Sequence, residues 1–164
     1  MIFLFDLDLT IWETQNKNGL SIWAKQIIPP LQSDGKDAVQ DDVYSICKLR
    51  GNFRDYINSL NQSGHKVGFI SNSMYFGLPI EIQPVSLLLK EFNLDQYFNY
   101  VKILLYKTES KIPSLINIVN QASLNNESVI FFDDNDDILK KVRFIEGLRV
   151  IDSKSISDWN DVKW

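Results

Sequence analysis

The chain has 164 residues, 45% apolar and 23% charged, with a net charge of -4 and a pI near 5.0, an ordinary make-up for one globular unit that buries a core without staples. The negative balance argues against a dedicated nucleic-acid binder, which carries a basic stripe, and Cys47 as the only cysteine excludes an intrachain disulfide and a cysteine-rich metal site. No apolar run approaches the roughly 18 residues of a membrane span, and Met1 to Phe5 is too short for a signal segment, so a reducing, cytoplasmic setting is expected.

Ile2-Phe3-Leu4-Phe5 reads as a buried strand that runs into Asp6-Leu7-Asp8-Leu9-Thr10. Residues i and i+2 of an extended chain point the same way, so Asp6 and Asp8 face one site while Leu7 faces the core. Residues 11–50 read as irregular, an elaborated loop over that site. Gly19, Pro29-Pro30 and Ser33-Asp34-Gly35 are its breakers, and one short β-pair is possible near Val43 to Cys47. Asn52 to Gln62 has helical spacing at Phe53, Tyr56, Ile57 and Leu60, and Gly64 stops it. Lys66 to Ile70 is a second strand, ending in Ser71-Asn72-Ser73. Ile82 to Phe92 reads as a helix, Tyr100 to Leu105 as a third strand, and Pro113 opens a helix through Leu115, Ile116, Val119 and Ala122. Ser128 to Phe132 is a fourth strand ending in Asp133-Asp134, followed by a helix over Ile138 to Ile145 and a last strand over Arg149 to Ile151. Trp159 and Trp164 anchor a tail over residues 153–164 to the body. The whole is expected to be one domain over 1–164.

Strands alternating with helices predict an α/β fold with a mainly parallel sheet. Ligands of such sheets bind outside the carboxyl ends of the strands, where three apolar runs here deliver Asp6, Ser71 and Asp133-Asp134. Two carboxylates about 4 Å apart repel by roughly 1 kcal/mol in water and roughly 4 at an effective dielectric near 20, so the acids invite a cation. Mg²⁺ suits them, as a hard ion that takes one or two carboxylates, waters and a substrate phosphate.

An apolar strand ending in Asp-x-Asp-x-Thr, a second ending in Ser, a later lysine and a fourth ending in Asp-Asp, in that order, resembles the haloacid dehalogenase superfamily over about residues 1 to 152. Phe5-Asp6-Leu7-Asp8-Leu9-Thr10-Ile11-Trp12, Ser110-Lys111 and Phe131-Phe132-Asp133-Asp134 look most like its magnesium-dependent phosphatase branch. The resemblance implies a three-layer, Rossmann-like fold with a small flap after the first strand, over about 11–50, and no large cap domain. It implies Asp6 as the nucleophile that forms an aspartyl-phosphate, and Asp8 as general acid and then general base. Thr10 would brace the turn. Ser71 and the amide of Asn72 would hold phosphate oxygens. Lys111, which follows Ser110 and opens a helix, would offset charge on the transferring group, with Lys107 as the alternative. Asp134 would bind Mg²⁺ beside Asp6 and the backbone carbonyl of Asp8, and Asp133 would hold Lys111 or a metal-bound water. Asp136 and Asp137 suit a solvated helix start, although the compressed spacing after the acidic pair leaves the role of Asp137 open.

His65, the only histidine, sits in a turn and reads as surface structure. Trp12 and Trp23 either pack the flap down or contact substrate. Within the superfamily, Asp8 argues against a dehalogenase, the missing spans against an ion pump, and the small flap against a phosphomutase. A phosphoacceptor signalling domain carries its acidic pair on the first strand rather than the fourth. The rivals that remain are a catalytically silent phosphate- or metal-binding module and a domain acting on a carrier-bound or nucleic-acid-end phosphate. The expected reaction is phosphomonoester hydrolysis on a phosphorylated small molecule or phosphoprotein, by a monomer in preference to an oligomer.

Overall fold

The computed structural model describes residues 1–164. In chain order, β1 (Ile2–Phe5) is followed by β2 (Trp12–Gln15), β3 (Ser21–Ile22), β4 (Leu31–Ser33), β5 (Ala38–Asp41) and β6 (Ile46–Leu49). Then come α1 (Phe53–Gln62), β7 (Lys66–Ser71), α2 (Pro84–Glu91), β8 (Lys102–Leu104), α3 (Ile112–Leu124), β9 (Val129–Asp133), α4 (Asp136–Val142) and β10 (Leu148–Asp152). The chain is α/β, as expected. Five strands in the order β10-β9-β1-β7-β8 form one sheet whose every pairing is parallel.

β1 is apolar at every position because both of its faces are covered. Its side chains divide with the two-residue period of a strand. Phe3 and Phe5 join Val67, Phe69, Ile130 and Phe132 in one core, under α1 and α2. Ile2 and Leu4 join Ile70, Val129 and Phe131 in a second core, under α3 and α4. Helices therefore cover both faces of the sheet. Gly68 is the exception in β7. A Cβ there would come 2.7 Å from the Val101 carbonyl, so only glycine lets the chain beside β8 approach.

Residues 11–50 depart from the expected irregular loop. They hold a second five-stranded sheet, antiparallel throughout, in the order β3-β2-β6-β5-β4. Val43 lies in the β5–β6 turn and is exposed, whereas Cys47 lies within β6 and is buried. The strands are only 2–4 residues long and bury at most two residues each, one of them often polar, such as Val39 and Asp41 in β5, so no long apolar alternation announces them. Smaller corrections concern helix starts. Ile82 belongs to an exposed 3₁₀ turn, and α2 begins at Pro84, where its fixed φ suits a first helical position. α4 begins at Asp136 because Asn135 caps it through its side chain, which accepts from the N–H groups of Asp137 and Ile138.

The tail folds back onto the α1 face. Trp159 is buried against Phe5, Phe53, Tyr56 and Phe132, with ring centroids 5.1–5.7 Å from its own. Its backbone N–H donates to Gly51 O, and a Cβ on Gly51 would lie 2.3 Å from Ser157 O, so the tail seats on a residue without a side chain. His65 is half-buried between Phe3 and Trp164. No helix is long and apolar enough to cross a membrane.

Candidate active site at the carboxyl edge of the parallel sheet

Strand register places the polar residues. Phe5 is level with Phe69 on one side and Phe132 on the other, so the next positions, Asp6 just past β1 and Asp133 at the end of β9, stand side by side, and Ser71 ends the neighbouring strand. Beyond Asp6 the chain reverses sharply. Leu9 takes φ +61°, a left-handed conformation that costs a side-chain-bearing residue about 1 kcal/mol, and its N–H donates to Trp12 O at 2.8 Å. Arg50 clamps this turn. Its guanidinium donates to the carbonyls of Leu9 and Thr10 and, at 3.3 Å each, to those of Ser153 and Ile156. Thr10 is buried outside the cavity, its hydroxyl 3.1 Å from that of Ser153, so it braces the turn against the tail.

Lys111 enters from the start of α3. The helix dipole disfavours a cation there, and burial works against the charge as well. Two carboxylates outweigh both effects. Lys111 Nζ lies 2.8 Å from Asp6 Oδ1 and 2.6 Å from Asp133 Oδ2, which holds its pKa above the usual lysine range. The second oxygen of Asp133 accepts from Asn135 N at 2.8 Å, so this fully buried carboxylate has both oxygens engaged. Burial, with the charge of Asp6 added, pushes its pKa up to about 6.

Asp134 differs. It forms no ion pair, yet one of its oxygens lies within 4.8 Å of oxygens of Asp6 and Asp133. Partial burial and then the charge of Asp6 raise its pKa to about 6 as well. Three carboxylates against one ammonium leave two negative charges, the complement of one divalent cation. These hard oxygen donors fit Mg²⁺.

The carboxylate of Asp8 stands apart from that cluster. Oδ1 accepts from Trp12 Nε1 at 2.9 Å and Ala24 N at 3.0 Å, and Oδ2 accepts from the Ser73 hydroxyl at 2.9 Å. Burial is the main reason its pKa is raised, and Asp6 adds to it against these three donors. Ser73 in turn lies 2.8 Å from Ser71 Oγ. Nothing in the sequence pattern singles out Ser73, or Arg50, because each acts only through partners far along the chain.

Asp6, Asp8, Ser71, Asn72, Lys111 and Asp134 line one cavity of about 300 Å³. The Asn72 side chain turns away to brace a loop, donating to Tyr106 O at 2.7 Å and Glu109 O at 2.8 Å. The backbone N–H groups of Asp8 and Asn72 find no acceptor within the chain, so two donors remain for a ligand at the cavity. Lys107 lines the same cavity from its exposed rim, far less buried than Lys111. Asp136 lies outside it and pairs with Lys154, while Asp137 occupies the first turn of α4. Trp12 is buried, whereas Trp23 is half-exposed on the cavity wall.

Neither a family model nor a curated protein matches the chain.

Proposed function

We propose that the chain is a magnesium-dependent phosphomonoester hydrolase that works through an aspartyl-phosphate on Asp6, as the sequence resemblance to the haloacid dehalogenase superfamily implies. The observation that carries this reading is the buried contact of Lys111 with Asp6, beside an unpaired Asp134 and a separately held Asp8. One carboxylate is thus held in place by an ammonium. Another is pushed toward its protonated form, which is how a nucleophile and an acid share one site.

An oxygen of Asp6 attacks phosphorus, and the bond from phosphorus to the leaving oxygen breaks. Asp8 gives its proton to that oxygen. Oδ1 faces two N–H donors that cannot reverse, whereas Oδ2 faces only the Ser73 hydroxyl, which can rotate and accept, so Oδ2 is the atom that carries the proton. Water then attacks phosphorus and yields its proton to Asp8, the bond to Asp6 breaks, and phosphate leaves. The Asn72 N–H, Lys111 and the Ser71 hydroxyl, turned from Ser73 toward the ligand, hold the phosphoryl oxygens through both steps. Mg²⁺, held by Asp6, Asp134 and the Asp8 backbone carbonyl, would supply charge neutralisation on those oxygens. The segment over 12–49 that carries the antiparallel sheet is read as the flap, since Trp23 and Lys25, in its turn between β3 and β4, reach the cavity and Ala24 is bonded to Asp8.

The test is phosphate release from p-nitrophenyl phosphate with Mg²⁺. Asp8→Asn is expected to lose about 10²–10⁴-fold in turnover. Unchanged turnover would remove Asp8 from the chemistry.

A further inference from the structure

The cavity does not close around the acids. Trp23, Lys25 and Lys107 also line a second hollow of about 360 Å³, whose other walls include Tyr75 and Phe76, so the two spaces adjoin at these three residues. The second hollow is apolar in an unusual way. Trp23 and Tyr75 are 48% exposed and Phe76 86%, a cluster of bare aromatic faces beside a polar site.

Neither lysine has an ion-pair or hydrogen-bond partner, although four acids (Asp6, Asp8, Asp134 and Glu109) line the first cavity. Each is already provided for: Asp6 by Lys111, Asp8 by its three donors, Glu109 by the Tyr106 N–H at 2.6 Å, and Asp134 by the proposed cation. Two positive charges are therefore spare.

Their backbones are also fixed to the reaction centre. Lys25 follows Ala24, whose N–H donates to Asp8, and the Trp23 N–H donates to Gln26 Oε1 at 2.9 Å. Lys107 lies between Tyr106 and Glu109, whose carbonyls both accept from the Asn72 side chain. The two segments are held before any ligand arrives, which lowers the ordering cost of binding.

We infer that the site takes phosphomonoesters whose leaving group is a flat aromatic body carrying a second anionic group, the ring lying against Trp23 and the anion between Lys25 and Lys107. This rests on the phosphatase reading and names its substrate class. Exposed charge pairs contribute little each, about 0.5 kcal/mol, so the pair together corresponds to roughly a fivefold preference.

The test compares phenyl phosphate with 4-carboxyphenyl phosphate in the wild type and in the Lys25→Met/Lys107→Met double variant, with Mg²⁺ at low salt. The ratio of the two kcat/KM values is read, because comparing ratios between proteins cancels intrinsic reactivity. The wild type is expected to favour the carboxylated ester about fivefold through KM, with the preference fading as salt rises. The double variant is expected to bring the ratio down to the value set by the esters' own reactivity. A ratio that is the same in both proteins overturns the inference and leaves the phosphatase reading standing. Failure of the wild type to hydrolyse either ester overturns both.

Discussion

The ammonium of Lys111 lies 2.6 Å from an oxygen of Asp133, and both side chains are buried. Breaking a buried pair by removing one partner strands the other, at about 3–5 kcal/mol. Lys111→Met is therefore expected to lower the Tm at pH 8 by about 6–20 °C, at roughly 2–4 °C per kcal/mol for a chain of this size. The loss has a pH sign. The pKa of Asp133 is already raised to about 6 with Lys111 in place, and without it rises further. Folded Asp133 then holds its proton above the pH at which the unfolded chain releases one, so the variant loses stability as pH rises through that elevated pKa and regains it toward pH 5. Equal losses at pH 5 and pH 8 would contradict the pairing.

If Asp134 holds Mg²⁺, as proposed, the ion competes there with protons, since burial and the charge of Asp6 raise the pKa of Asp134 to about 6. Above that value the carboxylate is free to bind a cation; below it the proton occupies the site. At pH 7.5 and about 100 times its dissociation constant, Mg²⁺ is expected to stabilise the fold by about 2.7 kcal/mol, a Tm rise of about 5–10 °C, and to do little at pH 5. Asp134→Ala is expected to abolish the rise. Thermal melts with and without Mg²⁺ check both statements.

Trp12 donates its indole N–H to Asp8 at 2.9 Å and so lowers a pKa that burial raises. Trp12→Phe removes the donor and keeps most of the packing against Phe92. The pKa of Asp8 is expected to move further up, and with it the basic limb of the kcat/KM profile, where the proton of the general acid is lost. A basic limb that stays in place would detach Asp8 from that limb.

Local pattern carried the main sheet and little of the insert. β1 and β9 are unbroken apolar runs that end in acids, so their existence and the side on which they deliver Asp6 and Asp133 were legible. The edge strand β3 is two residues long and pairs only with β2, a fact of tertiary packing that propensity does not encode. The candidate site divides the same way. Asp6, Asp8, Ser71, Lys111 and Asp134 stand at strand or helix ends and line one cavity. Ser73 matters only because the chain after β7 bends it onto Asp8, and Arg50 only because residues 9–10 and 153–156 meet over it.

Tyr56 OH and Trp159 Nε1 are buried without hydrogen-bond partners in the aromatic cluster under the tail. A buried donor without a partner carries a desolvation cost of about 1–3 kcal/mol. Tyr56→Phe keeps the ring against Phe5 and Trp159 and removes the hydroxyl. It is expected to raise stability by about 1 kcal/mol in urea unfolding. A destabilised variant would show that a water or other group satisfies that hydroxyl.

In the proposed phosphatase, a carboxylate oxygen of Asp6 donates the electron pair that attacks phosphorus. Steady-state phosphate release from p-nitrophenyl phosphate with Mg²⁺, measured for the wild type and for Asp6→Asn, tests it most directly. Turnover by the wild type and none by Asp6→Asn, with the variant still folded by circular dichroism, is the predicted result; turnover that survives the substitution would contradict it.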